Sequence, residues 1–309
     1  MGSHFIELSD IRKVYKDKEV LNVNQLSVKR GEIISVVGPS GTGKSTLLRL
    51  IAGLEKTDTG EIKIDGEYLT NVPPQQRPVV YMFQESLLFP HMNVLENVAF
   101  GLKMAKVSKN KRYDKSKEMM KRVGLEGLES RFPHEISGGQ KQRAALARSL
   151  IVHPKVLLLD EPFSSLDTEL RKETRRWIKH LLKSENITVL FVTHDLEEAM
   201  AFGDRVAVLN EGKLEQLDSP HVLYESPVNS FVASFLQGGI WTKERFIPVN
   251  CLKMGRNDDR NGKSAEVIET YYQDGKFNSV LSIEHSEAVI TLTTEEKVNV
   301  GERVKVYEG

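Results

Sequence analysis

Nine residues, Gly38 to Thr46, reading Gly-Pro-Ser-Gly-Thr-Gly-Lys-Ser-Thr, constrain this 309-residue chain more than any other stretch. The apolar run Ile33 to Val37 precedes them and Leu47-Leu48-Arg49-Leu50-Ile51-Ala52 follows, so the order reads strand, glycine-rich turn, helix. In that setting glycines turn backbone N–H groups inward around phosphate oxygens. Gly38, Pro39, Ser40, Gly41, Thr42, Gly43 and Thr46 then form a phosphate cradle. Lys44 adds a positive charge toward the β and γ phosphates, and the Ser45 hydroxyl is placed to hold Mg²⁺. The positive end of the following helix faces the same anion.

Composition narrows the remainder. Lys plus Arg and Asp plus Glu both number 43, so no global field draws the chain to nucleic acid or to an acidic membrane. The single cysteine, Cys251, excludes an internal disulfide and fits a reducing compartment. No segment approaches the roughly 20 apolar residues that cross a bilayer, so a membrane connection is expected to come through a partner. Residues 1–4, Met-Gly-Ser-His, read as a cloning scar, because no apolar signal segment follows them.

Along the chain, Phe5 to Leu8 and Leu26 to Val28 alternate as short strands on either side of a loop that contains Tyr15. Tyr15 has two readings, an exposed ring that stacks on an adenine or a partly buried core residue. Val79 to Phe83 reads as a buried strand ending at Gln84, either a Mg²⁺ ligand and water-orienting group or a surface glutamine. From about residue 85 to 152 the periodicity becomes helical, an insertion between two halves of an α/β core. It closes with Ile136-Ser137-Gly138-Gly139-Gln140, where Ser137 is a good N-cap and the glycines offer bare N–H groups to an anion.

Val156-Leu157-Leu158-Leu159-Asp160-Glu161 reads as a strand buried on both faces, with two carboxylates at its C-terminal end, where ligands gather in open α/β sheets. The strand period points them to opposite sides. Asp160 is assigned to the Mg²⁺ shell, and Glu161 to polarising the water that attacks a γ phosphate. The next apolar strand, Ile187 to Val192, ends at Thr193-His194, which sets His194 apart from the other seven histidines as a group able to reach a γ phosphate.

With these residues in place the chain resembles the ATP-binding cassette (ABC) family. Gly38 to Thr46 resembles its Walker A loop, Gln84 its Q-loop and Ile136 to Gln140 its signature. Val156 to Glu161 resembles its Walker B strand, Ser165-Leu166-Asp167 its D-loop and His194 its switch histidine, while Tyr15 takes the place of its adenine-stacking aromatic. The matches run in family order over about residues 5–237. The resemblance implies an α/β P-loop fold with an antiparallel β subdomain and a helical subdomain. It also implies ATP and Mg²⁺ as cofactors and a head-to-tail homodimer in which Ser137 to Gln140 and Asp167 of one copy complete the site of the other.

Within the family, residues 72–102 and 212–238 are similar to the ATPases of maltose, sulfate/molybdate and polyamine importers. That implies transmembrane permease partners, indirectly an extracytoplasmic solute-binding protein, and a place on the cytoplasmic face of the cell membrane. Leu87, Leu88, Phe89 and Met92 then either line a groove for a permease helix or belong to the core. From residue 238 onward, Phe246 to Val249, Ala265 to Tyr272, Lys276 to Glu284, Ala288 to Thr294 and Arg303 to Tyr307 read as about five strands of a small OB-like barrel, with Asp274-Gly275 as a hairpin turn. OB folds often bind single-stranded nucleic acid, but residues 241–309 carry 10 Lys/Arg against 12 Asp/Glu, which disfavours a basic groove. A soluble ABC protein acting on nucleic acid or ribosomes, and an exporter ATPase, are the rival readings.

Overall fold

Three five-residue strands without a solvent-exposed position, β3 (Ile33–Val37), β7 (Val156–Asp160) and β8 (Thr188–Val192), form the centre of the molecule's large sheet. The computed structural model describes residues 4–84, 87–163, 168–241, 245–255, 262–273, 275–286 and 288–309. Its internal contacts divide the chain into two units, Met1–Leu214 and Glu215–Gly309.

In the first unit, β1 (Ile6–Tyr15), β2 (Lys18–Val28), β4 (Thr59–Ile64) and β5 (Glu67–Tyr68) pair antiparallel. β6 (Val79–Met82), β7, β8, β3 and β9 (Arg205–Asn210) pair parallel. With β10 (Lys213–Asp218), of which Lys213 and Leu214 belong to this unit, they make one ten-stranded sheet in the order β5-β4-β1-β2-β10-β9-β3-β8-β7-β6. The antiparallel half alternates buried and exposed residues, and the parallel centre reads as continuous Val/Ile/Leu, as expected for one-sided and two-sided burial. Helix α1 (Lys44–Ala52) follows β3, and α2 (Val94–Met104), α3 (Lys109–Arg122) and α4 (Gly138–Leu150) lie between β6 and β7. Helices α5 (Thr168–Ser184) and α6 (Leu196–Phe202) flank β8. Met82, Val98, Met120, Leu146, Leu159 and Phe191 belong to one buried cluster that joins the helical insertion to the sheet.

Two local expectations change. The stretch around Tyr15 is not a loop but the end of a hairpin: β1 runs to Tyr15, β2 starts at Lys18, and Lys16 and Asp17 turn the chain with φ of 46° and 67°. Positive φ at both central residues matches the right-handed twist of a two-residue hairpin, which here is made without glycine or asparagine. β6 is only half buried, because it forms the edge of the sheet. Asp167, with Ser165 and Leu166, lies outside the described residues, as does Asp274.

The second unit contains α7 (Pro220–Glu225), α8 (Ser230–Phe235), a ribbon of β11 (Gly239–Trp241) with β12 (Phe246–Pro248), and a five-stranded antiparallel sheet. Helices α7 and α8 therefore count with the C-terminal sheet, although both precede residue 238. The sheet runs β13-β17-β14-β15-β16, from β13 (Leu252–Gly255), β14 (Lys263–Gln273), β15 (Lys276–Ile283), β16 (Val289–Thr294) and β17 (Arg303–Glu308). The expected strand at Phe246 belongs to the ribbon instead, and β13 takes the fifth place. Only Leu252 of β13 is fully buried, so its alternation is weak. Ala265, Val267, Leu281, Ile283, Ile290 and Val306 fill this unit's own core.

Candidate functional site

Two glycines of the loop after β3, Gly38 and Gly43, leave no room for a side chain. At Gly43, φ is 90° and an added Cβ would lie 2.6 Å from the Val20 carbonyl oxygen. At Gly38 it would lie 2.1 Å from the Leu209 carbonyl oxygen. Gly43 is also the N-cap of α1 and supplies no side-chain cap, so the first N–H groups of that helix are left for an outside acceptor. Lys44 folds back over the loop, its ammonium donating to the carbonyls of Gly38 and Pro39, each at 2.8 Å. Thr42 Oγ1 donates to the Pro39 carbonyl at 2.9 Å. Burial lowers the Lys44 pKa, and the charges of Glu161 and Asp160 oppose that shift. A cation stripped of water beside bare N–H groups favours a strongly charged anion as its partner.

Facing the loop, the Ser45 hydroxyl donates to Asp160 Oδ1 at 2.9 Å. The other carboxylate oxygen, Oδ2, accepts from the Tyr81 hydroxyl at 2.6 Å. Tyr81 was not evident from sequence, where it reads as one more apolar strand residue. Burial is the first cause of its raised pKa and the bond to Asp160 the second, so the phenol remains a donor. Ser45 and Asp160 offer hard oxygen donors side by side, which suits Mg²⁺.

Glu161 departs from the strand. With φ of 46° it turns away from β7, and its N–H donates to the Val192 carbonyl at 2.9 Å. Its separation from Asp160 therefore involves a left-handed backbone turn, not the strand's pleat alone as expected. Glu161 Oε2 accepts from Gln84 Nε2 at 3.1 Å and lies 3.2 Å from His194 Nδ1. Three of the expected residues, on the ends of β6, β7 and β8, are thus joined at one carboxylate.

His194 is presented by a tight turn. The Thr193 hydroxyl donates to Glu198 and accepts from the Asp195 N–H at 3.1 Å, while Asp195 Oδ1 caps α6 by accepting from the Glu198 N–H at 3.0 Å. Glu198 is 4% exposed, and its other oxygen is buried without a hydrogen-bond partner among the described residues. Burial raises its pKa; Thr193, Arg175 and Arg171 oppose this, and Asp195 adds to it. A carboxyl whose pKa is raised on folding gives stability below its unfolded pKa, and that contribution is lost as pH rises through the folded value. Glu198→Gln should flatten this part of the pH dependence. Thermal melts from about pH 4 upward should show the variant's midpoint rising relative to the parent; parallel curves would contradict the assignment.

The remaining expected residues take separate places. Ser137 and Gln140 form a reciprocal cap at the exposed start of α4, Gln140 N–H to Ser137 Oγ at 3.3 Å and Ser137 N–H to Gln140 Oε1 at 2.9 Å, with Gly138 exposed between them. Tyr15 is 41% exposed and its hydroxyl donates to Glu55, which favours the exposed-ring reading over core filler. Of the groove candidates, Leu88 is core, Leu87 is 54% exposed, and Met92 lines a small cavity of about 70 Å³ with Phe100 and Tyr113.

A family model described as ABC transporter matches residues 21–164. The Fe(3+) ions import ATP-binding protein FbpC of Escherichia coli O157:H7 is 48% identical over 233 residues, covering 75% of this chain and 67% of the relative. The chain belongs to the ABC transporter family. The spermidine/putrescine import ATP-binding protein PotA of Trichormus variabilis is also 48% identical, over 231 residues that cover 75% of this chain and 61% of PotA. The chain thus spans about three fifths of that relative's length. Among solved structures, the dimeric post-hydrolysis state of the ATP-binding cassette MJ0796, bound to ADP and Pi, superposes with a TM-score of 0.62 at 33% identity. It covers 70% of this chain and 98% of that one. The cassette fold, with its α/β core and antiparallel β subdomain, accounts for the first unit.

Proposed function

We propose that this chain is the ATP-hydrolysing subunit of a solute importer, working as a homodimer on the cytoplasmic face of a membrane. One observation carries the reading: Glu161 joins Gln84 and His194 at the carboxyl ends of the central strands, beside the Ser45–Asp160 pair. Loop N–H groups and Lys44 hold the phosphates of ATP, and Ser45, Asp160 and Gln84 would hold Mg²⁺. Bound ATP–Mg²⁺ supplies the phosphoryl group and the charge that balances it. Glu161 accepts the proton of the attacking water, Gln84 and His194 orient that carboxylate, and His194 also reaches the γ phosphate. Tyr15 offers its exposed ring to the base.

In the dimer the capped Ser137–Gln140 helix end, with Ser137 and Gly138 exposed, and Asp167 complete the partner's site. The dimeric state of MJ0796 supports this arrangement. Because ATP binds the closed pair better than the open one, its loss opens the pair. Among the described residues no helix is long and apolar enough to cross a membrane. Coupling therefore runs through permease subunits, with Leu87 and the Met92 cavity offering them a docking groove, and solute delivery through an extracytoplasmic binding protein. Two relatives with equal identity are named for different solutes, Fe(3+) and spermidine/putrescine, so choice of solute is assigned to those other subunits. The C-terminal unit serves as an OB-like accessory domain that stabilises or regulates the dimer.

The test is light scattering with a non-hydrolysable ATP analogue and Mg²⁺, alongside turnover and nucleotide titration. The parent should hydrolyse ATP and double in mass. Lys44→Ala should bind ATP about 10- to 100-fold more weakly, as loss of charge-assisted bonds implies. A parent that neither turns over ATP nor dimerises, or a Lys44→Ala variant with parental affinity, overturns the proposal.

A further inference from the structure

Charge is balanced over the whole chain but not along it. Of the twenty residues from Lys103 to Arg122, nine are Lys or Arg and only Asp114 and Glu118 are acidic, so the rest of the chain carries a matching acidic excess. Lys103, Lys106, Lys109, Lys111, Lys115 and Lys117 are all exposed, and none is in an ion pair among the described residues. In this segment, among the described residues, only Lys121 and Arg122 pair with acids, Glu126 and Glu185. The first turn of α3 contains no acid, although that is where the helix dipole favours one. Lys111 and Lys115 are moreover spaced to repel each other across one helical turn. A solvated helix face gains nothing from such an arrangement, whereas a surface that meets an extended layer of negative charge does.

We propose that the corner formed by the end of α2 and the exposed side of α3 is a docking surface for anionic phospholipid headgroups. The apolar side of α3, with Met119 and Met120, is buried in the protein core, so the helix rests on headgroups without inserting. Met104, 58% exposed between Lys103 and Lys106, provides one apolar group at the same level. The only aromatic residue of α3, Tyr113, is half-buried and covered by the Lys109 and Arg112 cations, leaving no open ring for a nucleic-acid base to stack on. This contact needs no permease. It rests on the proposed membrane attachment only in that a lipid face is within reach.

The purified full chain is to be sedimented with vesicles of phosphatidylcholine alone and of phosphatidylcholine containing about a third phosphatidylglycerol. Binding should appear only with the anionic lipid and disappear near about 0.5 M salt. The quadruple variant Lys106→Glu, Lys109→Glu, Lys111→Glu, Lys115→Glu should bind on the order of 100-fold more weakly. The matching Lys→Arg variant should bind like the parent. ATP turnover in solution, measured on the same samples, confirms folded protein and tests the ATPase reading separately. Equal binding of parent and Lys→Glu variant, equal binding to both vesicle types, or retardation of a single-stranded oligonucleotide without vesicle binding each overturns the proposal.

Discussion

Glu161→Gln is expected to lower ATP turnover by about three orders of magnitude, the middle of the range for removing a positioned general base, while ATP affinity changes only a few-fold. The exchange keeps the size of the side chain. Its amide oxygen can accept from Gln84 as Glu161 Oε2 does at 3.1 Å, so the link between β6 and β7 is retained. An amide cannot take a proton from water. The hydrogen bonds of the other binding groups are kept, since Lys44 donates to the loop carbonyls and Ser45 to Asp160 without involving Glu161. Nucleotide should therefore bind, persist and hold two copies together. Single-turnover kinetics with labelled ATP, combined with scattering, separate the cases. Parental turnover would remove Glu161 from the chemistry, and lost affinity would make it a binding residue instead.

The parts of this site legible in sequence are those whose chemistry demands a fixed residue order. Gly38 to Thr46 and Val156 to Glu161 announce a loop and a buried strand because glycines and continuous apolar runs have few other uses. The hairpin at Lys16-Asp17 is hidden because Lys16 carries no signal of positive φ and the pair lacks the usual glycine or asparagine, so Tyr15 reads as a loop residue. Tyr81 is hidden differently: strand periodicity gives its face, while its bond to Asp160 depends on the register that pairs Tyr81 with Leu158 across β6 and β7. In the same way the left-handed turn at Glu161 follows from its bond to Val192, a long-range partner. β13 is short, and a charged neighbour and a glycine dilute its two apolar residues, so the more aromatic Phe246 segment reads as the better strand.

The residue that sequence conceals most fully is Arg77, within the polar stretch Pro73-Pro74-Gln75-Gln76-Arg77 that resembles an ordinary surface loop. It is 8% exposed. Nη1 donates to the carbonyls of Leu50 and Ile51 at 2.9 and 2.8 Å, Nε to Val72 at 2.8 Å and Nη2 to Thr70 at 3.2 Å. Leu50 and Ile51 lie in the last turn of α1, where the dipole favours a cation; the Leu50 carbonyl also accepts from the Gly53 N–H at 3.1 Å. Arg77 thus fastens the far end of the helix that begins at Lys44.

Arg77→Ala leaves several buried carbonyls without this donor and should cost about 3 kcal/mol or more, given the strength of hydrogen bonds to charged groups and the penalty for orphaned ones. For a domain of this size that corresponds to a fall in Tm of roughly 10 °C. Arg77→Lys should recover little of it, because a single ammonium cannot span carbonyls on two sides of a planar fork. Since α1 also carries the phosphate loop, nucleotide affinity should fall in both variants even well below Tm. Calorimetry with ATP titration at low temperature reads both effects. If Arg77→Lys restored parental stability, charge alone would suffice and the fork geometry would be irrelevant; if Arg77→Ala melted with the parent, the helix end would need no anchor.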